Sequence, residues 1–323
     1  MKNLMGRSIC LMAFVSLFVL TSCDKELNEE VSPQNKYITY QSSDEYSKKL
    51  NEIVNMTQEE RANYEISNGY ISFGRYCDEF YSTIDFEQFK SMDEIITFVN
   101  KNKEYLKLNV DVNGEYTVDV AYDDKFSRYM CGLNKIFIIK DTAYKVLEDN
   151  LIYCNSGYVE ELEKITEDNY LNYMKINEFA FIDSRQGLNT LKDDSTNYGK
   201  SLEATVTNGN NRTKSMAIIE LGPPTLNYKA TCYAGAKVRP YKKTALVWYF
   251  CTRTIDLNTN FIVHYEINDT WAPTPTYSYN STIYASVHEY SLTAVPYYVD
   301  DAHFGDVYVY GDTPDTSPAI INY

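Results

Sequence analysis

The stretch Tyr228-Lys229-Ala230-Thr231-Cys232-Tyr233-Ala234-Gly235-Ala236-Lys237-Val238 carries the clearest fold signal in the chain. Every even position is apolar, and every odd one except Tyr233 and Gly235 is polar or charged. Successive side chains of a strand point to opposite faces, so the pattern predicts a strand with one buried and one wet face. Further strands are expected at 202–207, 215–220, 245–255, 261–267, 282–293 and 306–310, with Pro and Gly turns and no helical period among them. Seven short strands of this kind predict an all-β immunoglobulin-like sandwich over 202–323.

Upstream the period changes. Tyr46, Leu50, Ile53 and Val54 form a helical stripe opening after Ser42-Ser43. Thr57-Gln58-Glu59-Glu60 and Ser91-Met92-Asp93-Glu94 have capping-box spacing: the hydroxyl accepts from the N–H three residues on and the Glu reaches back. Leu106, Leu108, Val110 and Val112 then alternate with polar residues up to Asn113-Gly114, and Tyr116, Val118 and Val120 continue beyond. This is hairpin spacing around a turn that wants positive φ. A second hairpin is read at 136–139 and 143–147, and a helix over 158–165. Residues 37–185 are therefore expected to form an α+β domain, joined to the sandwich by a polar, turn-rich linker over 186–201.

At the N-terminus, Lys2 and Arg7 precede a 12-residue apolar run, Ile9 to Leu20. That is shorter than the about 20 residues a helix needs to cross a bilayer. Leu20-Thr21-Ser22-Cys23 resembles the bacterial lipobox. The resemblance implies a signal peptide over 1–22, cleavage before Cys23, and acylation of its thiol and new amino group, which together anchor stably where one chain would not. Residues 23–36 follow as an acidic tether, resembling the surface-export segments of Bacteroides-type lipoproteins. The expected address is the bacterial cell envelope, as an outer-membrane lipoprotein with the outward face favoured, its membrane partner reached through the lipid. Nucleic acid is not expected as a partner, because the net charge is −15 and phosphate binding needs basic surface. The acidity is uneven: 24–185 carry 32 acidic and 18 basic residues, 186–323 carry 13 and 10.

Met56 to Arg61 (MTQEER), Phe73, Leu133 to Lys145 (LNKIFIIKDTAYK) and the tyrosine-rich strands beyond 228 resemble an uncharacterised family of Bacteroides-type exported lipoproteins of about this length. The resemblance spans most of the chain beyond Cys23. It implies no activity and transfers no functional residue apart from Cys23.

Chemistry is sparse. Beyond Cys10 and Cys23, five cysteines remain, with no C-x-x-C among them. A hairpin turning about Tyr241-Lys242 would set Cys232 opposite Cys251, giving either a disulfide or two free core thiols. The three histidines have no i, i+4 metal spacing. Asp300 to Asp306 (DDAHFGD) crowds carboxylates and an imidazole that could hold a cation or form an acid–base pair, but it matches no EF-hand or zincin pattern and is read as a solvated acidic turn; no metal or cofactor is expected. No G-x-S-x-G, P-loop or dinucleotide fingerprint occurs, so no catalytic residue is assigned. What stands out is 31 tyrosines and the Pro-containing stretch 271–280. There Trp271, Tyr277 and Tyr279 are the candidate ligand-binding residues, for a glycan or an envelope protein. The reading is of a non-enzymatic binding protein. The alternatives are an envelope hydrolase cutting polysaccharide through a carboxylate pair, and a structural assembly partner.

Overall fold

Over 231–238, neither face of the alternating stretch is wet. From Thr231 to Tyr241 every residue is buried, with Lys237 and Arg239 each 1% exposed. A computed structural model describes residues 37–183 and 201–323 apart from 112, 149, 174, 175, 177, 225–229 and 300. The signal peptide, the tether with Cys23, and 186–200 of the linker lie outside the described residues.

The first half opens with β1 (Ile38–Tyr40) and four helices, α1 (Ser43–Val54), α2 (Gln58–Ser67), α3 (Phe73–Ser82) and α4 (Met92–Lys101). It continues through β2 (Leu106–Val110), β3 (Tyr116–Val120), β4 (Ile136–Ile139), β5 (Thr142–Val146) and β6 (Asn150–Asn155). The short α5 (Val159–Glu163) and α6 (Tyr170–Tyr173) precede β7 (Phe179–Asp183). The second half holds β8 (Ser201–Asn208), β9 (Asn211–Pro224), β10 (Ala230–Lys243), β11 (Val247–Phe250) and β12 (Arg253–Ile267). It ends with β13 (Thr270–Pro273), β14 (Tyr277–Ala285), β15 (His288–Val299), β16 (Asp301–Asp312) and β17 (Ala319–Asn322).

Local chemistry sets the helix starts. Ser42 accepts from the Glu45 N–H at 3.1 Å, and the Thr57 box is complete, with the Thr57 N–H donating to Glu60 at 2.8 Å. Ser91 caps α4 as expected, but Glu94 reaches the Lys90 N–H rather than its own cap. Such caps contribute about 0.5–2 kcal/mol each. The β2–β3 hairpin pairs Leu106 with Val120 and Val110 with Tyr116, and Gly114 takes φ +77° in the turn. Positive φ of this kind suits glycine, which has no Cβ to clash.

Three sheets result. One runs β1-β4-β5-β6-β7. The second runs β2-β3-β11-β10-β9-β8, with β15 also paired to β10. The third runs β13-β12-β16-β17, with β14 also paired to β12. In the second sheet, β11 lies parallel to β3, pairing Val247 with Tyr116 and Tyr249 with Val118. The β2–β3 hairpin of the first half therefore completes a sheet of the second half. This corrects the expected division into independent domains at 37–185 and 202–323: the described residues fall in one compact unit. Pairing with β3 satisfies an edge of β11 that a free-standing sandwich would leave open. The fold is mostly β with a few helices, and an immunoglobulin-like arrangement is not confirmed.

The even positions of β10 (Cys232, Ala234, Ala236, Val238) pack with Ala217, Ile219 and Leu221 against Ile255, Leu257, Phe261, Val263 and Val309 of the third sheet. The odd face looks instead toward the helices, where Tyr233 and Tyr241 join Tyr46, Phe73, Tyr81 and Trp248 in a second core. Two expected strands prove double. The 245–255 strand is broken at Cys251-Thr252 between β11 and β12, and 282–293 is broken at Ser286-Val287 between β14 and β15.

The disulfide reading is also corrected. The Thr244 hydroxyl accepts from the N–H groups of Leu246 and Val247, closing the turn there and not at Tyr241-Lys242. Tyr241 then faces Phe250, and the Cys251 N–H donates to the Pro240 carbonyl. Cys232 sits opposite Leu221 and Val295, and no disulfide joins Cys232 to Cys251.

Candidate functional site

The expected aromatic loop is two strands joined by Thr274, Pro275 and Thr276, and it does not present one surface. Trp271 pairs with Glu266 on the outer face of β12, 39% exposed, its ring 4.6 Å from that of His303. Tyr277 pairs with Phe261 and Tyr279 with Thr259, both on the inward face. The Tyr277 hydroxyl donates to the Ala294 carbonyl at 2.7 Å, and Tyr279 stacks on Tyr290 at 4.1 Å. These two tyrosines pack the scaffold, and only Trp271 of the three faces out. His288 has both ring nitrogens in contact, with Tyr279 at 3.2 Å and the Ile255 carbonyl at 3.4 Å. The segment from Asp301 onward is strand β16 rather than a loop. Among the described residues no group of three or more His, Cys, Asp or Glu could hold a metal ion.

A groove of about 550 Å³ crosses the polar face of the second sheet. Lys107 and Asn109 project from β2, Thr117 and Asp119 from β3, Tyr241 from β10, Arg212 and Lys214 from β9, and Glu203, Thr205 and Thr207 from β8. The pairing registers place these residues on one face: Tyr241 faces Arg212, and Thr205 faces Lys214. The groove's polar groups are tied down. Buried Asp119 accepts from the Tyr241 hydroxyl at 2.7 Å and from Asn109 at 2.8 Å. Arg212 pairs with Glu115 at 2.7 Å and Asp111 at 3.3 Å while lying 4.1 Å over the Trp248 ring. The Glu115 backbone N–H, with that of Asn113 and the Arg212 guanidinium in support, holds the Asp111 carboxyl below its usual range.

Asp123 joins this groove to a buried charge cluster that the sequence reading took for a wet face. Burial would raise its carboxyl, but Arg239, Lys237 and Arg128 outweigh that and hold it at about 2. Arg239 lies 2.5 Å from Asp123, and Lys237 lies 3.1 Å from it. Glu289 of β15 sits 2.8 Å from Lys237, 3.4 Å from Arg128 and 3.6 Å from Arg61. Asp78 of α3 lies 3.3 Å from Arg128 and 3.8 Å from Arg61. The Tyr129 hydroxyl is 2.9 Å from Asp78 and 3.0 Å from Glu289, and its ring carries Arg61 at 3.7 Å and Arg128 at 4.4 Å. The only sequence signal was that Lys237 and Arg239 share one parity on a strand whose other parity is core.

No family model matches the chain, and no curated protein matches it. It is similar to a solved structure described as a DUF4848 family protein from Bacteroides thetaiotaomicron. The identity is 10%, 88% of this chain and 96% of that chain are covered, and the TM-score is 0.27.

Proposed function

We propose that the chain is a non-enzymatic binding protein of the bacterial cell envelope, an outer-membrane lipoprotein anchored through Cys23, and that its groove takes a hydroxyl-rich ligand, a glycan segment. Membership of an uncharacterised Bacteroides-type lipoprotein family belongs to the same proposal and rests on the residues quoted from 56–61 and 133–145. The observation that carries the binding reading is the groove itself. Its volume of about 550 Å³ lies within the range of small-ligand sites, and its floor offers Asn, Thr, Tyr, Arg and Asp side chains from five strands. Side chains on paired strands are pre-ordered, which lowers the entropic loss on binding.

The hydrolase alternative needs a carboxylic acid that holds its proton near neutrality. Asp111 and Asp123 move the opposite way, and two donors occupy Asp119. At these three of the six carboxylates lining the groove, the chemistry favours binding over hydrolysis.

Titration calorimetry of the soluble chain with envelope oligosaccharides tests the reading. Thr205 is exposed on the edge strand β8, so Thr205→Trp fills the groove without touching a core. It should weaken binding at least tenfold, about 1.4 kcal/mol, while Trp271→Ala leaves it unchanged. Equal affinity in Thr205→Trp, or cleavage of the oligosaccharide by the wild type, overturns it. For the anchor, Cys23→Ala should move the protein from the membrane fraction to the soluble one, and retention with membranes contradicts lipidation at that thiol.

A further inference from the structure

Two of the three histidines meet on the outer face of the third sheet. His264 of β12 pairs in register with His303 of β16, and their ring centres lie 5.3 Å apart with the planes inclined at 67°. Their neighbours Val263, Ala302 and Phe304 turn the other way, into the core. The third histidine, His288, is buried with Tyr279 and the Ile255 carbonyl against its ring nitrogens.

The meeting depends on one extra residue. Phe261 pairs with Val307 but Val263 pairs with Phe304, so Gly305 and Asp306 together face Ile262 in a β-bulge. Were the register of Phe261 and Val307 to continue, His264 would face Phe304 instead. The bulge also makes room. A Cβ at Gly305 would lie 2.7 Å from His264 Nε2 and 2.9 Å from Cδ2, so the glycine keeps open the space beside that nitrogen. Trp271, 39% exposed, holds its ring 4.6 Å from that of His303. Burial, with His264 adding to it, lowers the His303 imidazole below its ordinary value, which favours the neutral form that binds metals.

We propose that His264 and His303 form a binding site for one divalent transition-metal ion of the imidazole-preferring kind, Cu²⁺ or Zn²⁺, with water completing its coordination. Metal–nitrogen bonds of about 2.0–2.1 Å at a tetrahedral angle set two imidazole centres about 5 Å apart, and this pair already stands at that spacing. Strand register and the bulge fix both side chains before the ion arrives, so little ordering is lost on binding. Nitrogen ligands select Cu²⁺ over Zn²⁺ and Ni²⁺ and discriminate against Mg²⁺, which takes oxygen. Trp271 contributes an apolar wall beside the ion. The site lies on a different sheet from the groove and does not depend on the glycan reading.

Cu²⁺ is the probe, with Ni²⁺ as a weaker imidazole-binding ion and Mg²⁺ as the oxygen-preferring control. Calorimetry on the full chain should find one Cu²⁺ per chain, and electron paramagnetic resonance should show two nitrogen donors. Binding should quench Trp271, while Trp248, 1% exposed in the other core, remains as background. His264 and His303 are half-buried, so His264→Gln and His303→Gln should keep the wild-type circular dichroism and each weaken Cu²⁺ at least tenfold. Gly305→Ala keeps both imidazoles but fills the space beside Nε2, and should also weaken Cu²⁺ at least tenfold. Trp271→Phe should keep the affinity and lose the quench, and the groove-filling Thr205→Trp should alter neither. Unchanged Cu²⁺ affinity in either Gln variant or in Gly305→Ala, a quench that survives in Trp271→Phe, or Mg²⁺ binding as tightly as Cu²⁺ would each overturn the proposal.

Discussion

Replacing Glu289 by Gln removes one charge from the buried cluster while keeping shape and a hydrogen-bonding carbonyl for Tyr129. Glu289 stands within 4 Å of Lys237, Arg128 and Arg61, and after the change four cations face two carboxylates. At an effective dielectric of about 20, each such contact is worth roughly 4–6 kcal/mol of Coulomb energy before desolvation is counted. Most of that is offset by burial, and removing one partner of a buried pair leaves a net loss of about 3–5 kcal/mol. An exposed pair makes the contrast: Lys103 and Asp168 are as close, at 3.1 Å, but 71% and 78% exposed, so Lys103→Met should change stability by less than about 1 kcal/mol. Urea unfolding at neutral pH measures both, with unchanged slope as the check that only stability moved. The acid limb gives a second reading. Burial would raise the Glu289 carboxyl, but Lys237, Arg128 and Arg61 hold it well below the usual range. A depressed folded value means the stabilisation is present above the unfolded pKa, about 4.3, and is lost as pH falls through the folded one. Glu289→Gln should therefore also flatten the loss of stability below about pH 4. A variant within about 1 kcal/mol of wild type at neutral pH would refute the reasoning.

Glu65 behaves with the opposite sign. Burial raises its carboxyl from 4.5 to about 7 against the Ser72 hydrogen bonds and Arg75. Between those values the native state binds the extra proton, so stability falls as pH rises through that window, by up to about 3 kcal/mol. Glu65→Gln should remove that slope when unfolding is compared at about pH 5 and pH 8, and an unchanged slope contradicts the assignment. Gly235 is needed for close approach: a Cβ there would collide with the Tyr290 carbonyl oxygen and come within 2.9 Å of Ser291 Cα. Gly235→Ala should lose at least about 2–3 kcal/mol, because backbone cannot move aside as a side chain can, and a neutral result would mean β15 is not on β10. Thiol titration of unfolded, unreduced protein spanning 24–323 should find five reactive cysteines, and three would restore a bridge.

What could be read from sequence was local. The Ser42 and Thr57 caps, and the hairpins at 106–120 and 136–146, depend on residues a few positions apart, and their signals are written in adjacent side chains. What could not be read was set by distant partners. The parallel pairing of β11 with β3 joins residues 131 positions apart, as Val247 does with Tyr116, and nothing local announces it. Lys237 and Arg239 looked solvated because their counter-charges, Asp78, Asp123 and Glu289, lie on three other segments. Trp271 and Tyr277 share a parity and would share a face on one strand. The link at 274–276 shifts the pairing on β12 by one residue between β13 and β14, and a one-residue shift turns a side chain to the other face. The groove was illegible for the same reason: its floor combines strands from both halves of the chain.

Hydrogen–deuterium exchange with a bound envelope oligosaccharide maps the ligand site directly. Protection should appear in β8 and β2, the two edge strands whose Thr205, Glu203, Asn109 and Lys107 border the groove, with β13 and β16 unchanged. Protection confined to β13 and β16 around Trp271, with β8 and β2 exchanging as in the free protein, would contradict a groove-binding protein.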